Sequence, residues 1–140
     1  MPLSINGLRR VQRVDNSKTV LVVDDASLVR LFYRSILEGA GFRVEEALNG
    51  LEALERLQSL SVDLLIVDIN MPQMDGFTFL NLLRQKTLPI ASIPALVTST
   101  ESQPVDFEGA RLAGANYYLV KPIDRHVLLE FAAMLCGLPP

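Results

Sequence analysis

The sequence predicts an α/β fold, a parallel sheet with helices on both faces. Three observations lead there. Short apolar runs alternate with longer stretches in which apolar residues recur at helical spacing. The short runs lack the apolar–polar alternation of a half-exposed strand, so they read as strands buried on both faces, which crossover helices must cover. Two of them end on acid: Val20-Leu21-Val22-Val23 runs into Asp24-Asp25, and Leu64-Leu65-Ile66-Val67 runs into Asp68 and then a turn, Ile69-Asn70-Met71-Pro72.

The first 17 residues stand apart. Arg9, Arg10, Arg13 and neighbouring Lys18 face only Asp15, and Asn6-Gly7 breaks any regular pattern. They read as an N-terminal extension, either a solvated, flexible tail or a short packed helix, with a basic contact site as the lesser alternative. Residues 18–137 read as the domain. Thr19 to Val23 is the first strand. Ser27 begins a helix that stops near Gly39-Ala40-Gly41, with Leu28, Leu31, Phe32 and Ile36 expected on its inner face. Phe42 to Ala47 is a short strand. After the Asn49-Gly50 turn, Leu51 to Leu60 is an amphipathic helix with Leu51, Leu54 and Leu57 inward. Leu64 to Val67 is the third strand, and Phe77 to Lys86 a helix with Phe77, Leu80 and either Leu82 or Leu83 inward. Ala95 to Thr98 follows as a strand. Pro104 to Ala113 is a weaker helix, ended by Gly114. Tyr117 to Val120 is the last strand and Asp124 to Leu135 the last helix, after which no linker or second domain is expected.

Composition narrows the function. A chain of 140 residues, 49% apolar, suits one domain with a real core. A net charge of −3 argues against a general nucleic-acid or membrane-surface binder. No apolar run approaches the ~20 residues of a membrane span, and no secretory h-region is visible. The single cysteine, Cys136, cannot pair internally and reads as a small buried residue, which fits a reducing cytoplasm.

In an open α/β sheet, ligands gather beyond the carboxyl ends of the strands, where Asp24, Asp25 and Asp68 all fall. If the first and third strands are neighbours, the three acids converge. Two such charges ~4 Å apart repel by about 4 kcal/mol at an effective dielectric of ~20, so the cluster must raise its pKa values or bind a cation. Hard carboxylate oxygens favour Mg²⁺, with Mn²⁺ able to substitute; the lone His126 makes zinc a poor fit. Individually, Asp25 and Asp68 could merely cap a helix or a turn. A carboxylate in such a site can act as a nucleophile toward phosphorus. Ser99, after Val97-Thr98, and Lys121, before Pro122, reach the same rim.

These residues resemble the receiver domain of two-component response regulators. The resemblance spans roughly residues 18 to 136 and rests on Asp24-Asp25, Asp68 with Asn70-Met71-Pro72, Asp75-Gly76, Ser99, Gly114-Ala115, Tyr118 and Lys121-Pro122, in that order and spacing. It implies a flavodoxin-like sheet of order 2-1-3-4-5 with five helices. It implies Asp68 as phosphoacceptor, Asp25 and Asp68 as direct metal ligands, Asn70 through its backbone carbonyl, and Asp24 through metal-bound water. Ser99 and Lys121 would bind the phosphoryl group, with a cis bond between Lys121 and Pro122, and Ser99 and Tyr118 would switch. Thr98 is the second choice for the hydroxyl role. Thr100 stands where the family often has a smaller residue and would narrow access. Asn70 and Glu101, each two beyond a site residue, resemble the pair that sets phosphoryl lifetime in single-domain chemotaxis-type receivers. The implied partners are a sensor histidine kinase or phosphotransfer protein and a downstream protein reading the face of helix four, strand five and helix five. A homodimer through that face stays open; nucleic acid and membrane are not expected. Two rivals remain: an Asp-nucleophile, Mg²⁺-dependent phosphatase, disfavoured by Asn70 where a second acid would stand, and a docking module that is never phosphorylated.

Overall fold

The computed structural model describes residues 18–139, so the reading of residues 1–17 lies outside it. The strands are β1 (Thr19–Val23), β2 (Arg43–Ala47), β3 (Leu64–Asp68), β4 (Ala95–Ser99) and β5 (Tyr117–Val120). The helices are α1 (Ser27–Gly39), α2 (Gly50–Arg56), α3 (Gly76–Leu83), α4 (Pro104–Ala113) and α5 (Arg125–Leu135), with a 3₁₀ turn at Ile90–Ser92. All strand pairs are parallel and the order is β2-β1-β3-β4-β5, the flavodoxin-like arrangement expected. Register places Val22 beside Ile66, Val67 beside Val97, and Ser99 beside Val120.

Strand side chains alternate between faces, and this divides the core in two. Leu21, Val23, Leu65, Val67, Ala95 and Val97 meet Ala53, Leu57, Phe79, Leu80, Leu83, Ala110 and Ala113 from α2, α3 and α4 and their ends. Val20, Val22, Leu64, Ile66 and Leu96 meet Tyr33, Ile36, Leu37, Leu128 and Ala132 from α1 and α5. Helix starts are set by side chains that accept otherwise orphaned N–H groups. Asn49 caps Glu52, Asp75 caps Thr78, and Asp124 caps His126 and Val127. Gln103 and Asp106 form a reciprocal box around Pro104 at the start of α4.

The structure corrects the reading at four elements. Helix α1 buries Tyr33, Ile36 and Leu37, while Leu28, Leu31 and Phe32 are 78%, 58% and 46% exposed. This helix carries two overlapping apolar stripes, and the one that seats on Val20 and Val22 includes a phenol that apolar counting passes over. Helix α2 stops at Arg56 rather than Leu60, because the chain turns through Gln58-Ser59; Leu51 is exposed and Ala53 takes the inner position. Helix α3 ends at Leu83, short of Lys86, with Phe79 buried, Phe77 only partly so and Leu82 exposed. Strand β5 is an edge strand, and Val120 is exposed instead of being buried.

At the far end of the sheet Arg84 clasps two segments. Its Nε and Nη2 donate to the Gly114 carbonyl at 3.0 and 2.6 Å, and its Nη1 to the carbonyls of Ala91 and Ile93 at 3.0 and 2.6 Å. Gly114 sits at φ 110°, and a Cβ there would lie 2.7 Å from Arg84 Cγ. Gly114→Ala therefore combines backbone strain with displacement of the clasp, and is expected to cost about 2–3 kcal/mol, read as a lowered urea midpoint at constant slope.

Candidate functional site

The strand order makes β1 and β3 neighbours, and the acids converge as a result. One carboxylate oxygen from each of Asp24, Asp25 and Asp68 lies within 4.8 Å of the others. Asp24 and Asp68 are 1% and 6% exposed, whereas Asp25 faces solvent. Each oxygen of Asp24 is already engaged once: Oδ1 accepts from the Ala26 N–H at 2.9 Å, Oδ2 from Lys121 Nζ at 3.2 Å, and its carbonyl from Arg30 Nη1 at 2.7 Å. Lys121, just past β5, crosses the rim and donates to Asp68 Oδ1 as well, also at 3.2 Å. The Lys121–Pro122 peptide is cis, and so is Leu88–Pro89, which the sequence did not flag.

The electrostatics follow from burial and proximity. Burial, then the neighbouring Asp24 charge, holds the Asp68 carboxyl above the ordinary carboxylate range, against the pull of Lys121 and the Asn70 backbone. Burial acts against the Lys121 ammonium, but Asp24 and Asp68 outweigh it and raise its pKa. The donor set fits a small hard cation, since it is all carboxylate oxygen with one member open to water. Asp24, Asp25 and Asp68 could hold such an ion, with the Asn70 carbonyl in the loop directly beyond β3.

The hydroxyl side of the rim is equally defined. Ser99, the last residue of β4, is buried, and its Oγ accepts from the Glu101 N–H at 3.0 Å. Tyr118 donates its hydroxyl to the Glu101 carbonyl at 2.9 Å and packs edge-on against Phe107. Both side chains the sequence paired as a switch thus rest on one peptide residue. Thr98 is buried too, but its hydroxyl makes no well-formed hydrogen bond; it lies against the phenol of Tyr33. Burial foremost raises the Tyr33 pKa, and Lys121, Asp24 and Asp68 all act on it, so this α1 residue belongs to the site's surroundings. Asn70, Thr100 and Glu101 are exposed at the mouth. Beside them an apolar groove of about 410 Å³ is lined by Leu28, Phe32, Tyr33, Thr100, Lys121 and Pro122, among others.

Sequence reasoning missed Arg30 and Tyr33 as neighbours of the acids. Both lie on α1, and both owe their places to the helix rotation that apolar spacing did not resolve.

A five-stranded 2-1-3-4-5 sheet with three acids, a hydroxyl and a lysine on its carboxyl rim defines a receiver. Comparison with known proteins agrees. The profile of the response regulator receiver domain matches residues 20–133, and the chain belongs to that family. It is 32% identical over 123 residues to the CAI-1 autoinducer sensor kinase/phosphatase CqsS of Vibrio cholerae, covering 88% of this chain and 18% of that protein. It is 37% identical over 102 residues to a gliding motility regulatory protein of Myxococcus xanthus, covering 73% of this chain and 13% of that one. The chain therefore spans less than a fifth of either relative's length. Among solved structures, chemotaxis protein CheY4 of Vibrio cholerae superposes with a TM-score of 0.79 at 34% identity, covering 86% of this chain and 99% of that one. The signal receiver domain of a signal transduction histidine kinase from Syntrophus aciditrophicus gives 0.80 at 29%, covering 86% and 91%. The chain is thus a CheY-like receiver of two-component signalling. No helix among the described residues is long and apolar enough to cross a membrane.

Proposed function

We propose that this receiver is a phosphorylation switch in which Asp68 accepts a phosphoryl group from a histidine kinase or phosphotransfer protein. The observation that carries the reading is the Lys121 ammonium held at 3.2 Å from both Asp24 and Asp68 on a rim that also presents Ser99. A free carboxylate oxygen of Asp68 attacks phosphorus in line; the bond from phosphorus to the donor's imidazole nitrogen, or to the acyl oxygen of a small donor, breaks, and the leaving group keeps the electron pair. A bound Mg²⁺ supplies charge neutralisation for the phosphoryl oxygens. Lys121 exchanges a carboxylate partner for a phosphoryl oxygen without leaving its place. The protein donor lands on the groove, where exposed Leu28 and Phe32 flank Thr100 and Lys121.

The added group carries about −1.5 to −2 charges and strong acceptor oxygens. Ser99 Oγ then turns from the Glu101 N–H to the phosphoryl group. Because Tyr118 is bonded to the carbonyl of the same Glu101, the loop and the phenol move together. The face of α4, β5 and α5 is repacked, and a partner that prefers one packing shifts the population. This is a switch rather than a conventional enzyme, with self-phosphorylation from small donors and self-dephosphorylation as its chemistry.

Incubation with Mg²⁺ and acetyl phosphate should add one phosphoryl group by intact mass, and Asp68→Ala should abolish it. An unmodified wild type would instead favour the docking module, and multiple turnover of a phosphate ester the phosphatase. Asn70 and Glu101 stand at the mouth, where a hydrolytic water must pass. Asn70→Ala and Glu101→Ala are each expected to change the decay rate of the phosphorylated form severalfold, followed by loss of the adduct after donor removal. Decay unchanged in both would remove this role.

A further inference from the structure

Arg30 is bonded to the backbone of the acid cluster, yet the switch mechanism leaves it without a task. Its side chain is 11% exposed, so its bonds are nearly dry. It spends them in two directions. Nε donates to Glu46 Oε1 on β2 at 2.7 Å, and Nη1 donates to the carbonyl of Asp24 at 2.7 Å. Glu46 is fixed in turn by Arg34, one helical turn further along α1, which takes its other oxygen at 2.7 Å. On the other side of the same residue, the Asp24 N–H donates to the Ala47 carbonyl, next to Glu46, at 3.1 Å. The turn carrying Asp24 and Asp25 is therefore gripped from β2 at both its N–H and its C=O.

We propose that Arg30 is a positioning residue for the cation site: braced by Glu46, it holds the Asp24 carbonyl and so fixes where the Asp24 and Asp25 carboxylates stand. The inference rests on the metal-dependent reading above and deepens it. The geometry carries an internal contrast. As a bare charge, Arg30 would repel a divalent cation, and its removal would tighten binding. As a grip on the turn, its removal loosens the acids and weakens binding. The two roles predict opposite signs for one substitution.

The test is calorimetric titration of Mg²⁺ into the full chain as wild type, Arg30→Gln, Arg30→Lys and Arg34→Gln, with thermal unfolding of each as a check on folding. Arg30→Gln is expected to raise the Mg²⁺ dissociation constant by roughly tenfold, the low end of what removing an outer-shell partner costs. Arg30→Lys keeps the charge but lacks the planar fork needed to hold both partners, and should weaken binding too. It also carries the test if Arg30→Gln fails to fold. Arg34→Gln, which touches Glu46 but not Asp24, should lose clearly less affinity than Arg30→Gln. At saturating Mg²⁺ the half-saturating acetyl phosphate concentration should be unchanged in Arg30→Gln. Unchanged or tighter Mg²⁺ binding in Arg30→Gln, wild-type affinity in Arg30→Lys, or an equal loss in Arg34→Gln each overturns the proposal. A wild type that binds no Mg²⁺ would instead remove the reading beneath it.

Discussion

Lys121→Met is expected to destabilise the fold in metal-free buffer by about 3–5 kcal/mol, the usual cost of leaving a buried charge without its partner. Asp24 and Asp68 are almost fully buried, and Lys121 is bonded to both. The pH dependence has a definite sign. Asp68 already has a folded pKa above its unfolded value, so between the two the native state holds more protons and stability falls as pH rises. Removing Lys121 takes away an influence that lowers that pKa, so the window widens upward and the variant loses more stability than wild type as pH rises above the unfolded carboxylate value. Lys121 adds a dependence of the same sign at higher pH: with its own pKa raised, its contribution is complete below the unfolded lysine value and is lost as pH climbs through the folded one. Mg²⁺ should restore much of the variant's loss, since it binds the ionised acids of the folded state. Urea unfolding at several pH values, with and without Mg²⁺, checks each part; a loss insensitive to both would mean that Lys121 contributes packing rather than charge.

Gly76→Ala is expected to be comparably severe for a steric reason. A Cβ at this position would lie 2.6 Å from the Asp68 carbonyl oxygen and 2.9 Å from Ile69 Cα, both backbone atoms that cannot swing away. The Gly76 N–H also donates to the Ile69 carbonyl at 2.9 Å, closing the loop from β3 into α3. Overpacking of this kind costs roughly 1–3 kcal/mol or more, and here the displaced backbone carries Asp68, the proposed phosphoacceptor. The variant should lose stability and acetyl phosphate labelling together. By contrast, Gly50→Ala meets mainly the flexible end of Met74 and should be milder. Labelling at the wild-type rate in Gly76→Ala would show that the loop can move without disturbing Asp68.

The sheet was legible because each buried strand is a short aliphatic run with turn chemistry on both sides, and parallel order follows from the crossover helices. Asp24, Asp25, Asp68, Ser99 and Lys121 were legible because each closes such a run and so reaches the same rim. Helix rotation was not. Helix α1 offers apolar residues at 28, 29, 31, 32, 36 and 37, and spacing alone cannot choose among overlapping stripes. The choice is made by Val20 and Val22 beneath, with Tyr33 filling space among them. Arg30 was invisible for the same reason: its partners come from the turn after β1 and from β2, so no local motif announces it. The shared seat of Ser99 and Tyr118 on Glu101 is likewise a tertiary fact, since 17 residues separate the two ends of that hydrogen bond.

The chain has no tryptophan and three tyrosines, Tyr33, Tyr117 and Tyr118, and their placement has an optical consequence. Tyr33 is sealed beside Thr98 and feels the charges of the rim; Tyr118 is tied to the joint that Ser99 shares. Tyr117 instead stacks edge-on with Phe131 on the outer surface. Tyrosine emission and near-ultraviolet dichroism therefore draw on one chromophore beside the acid cluster, one bonded to the Glu101 carbonyl and one on the outer surface as a reference. Single Tyr→Phe replacements would apportion the one tyrosine band among the three positions, letting an unlabelled sample report changes at the acid cluster and at the Glu101 joint separately.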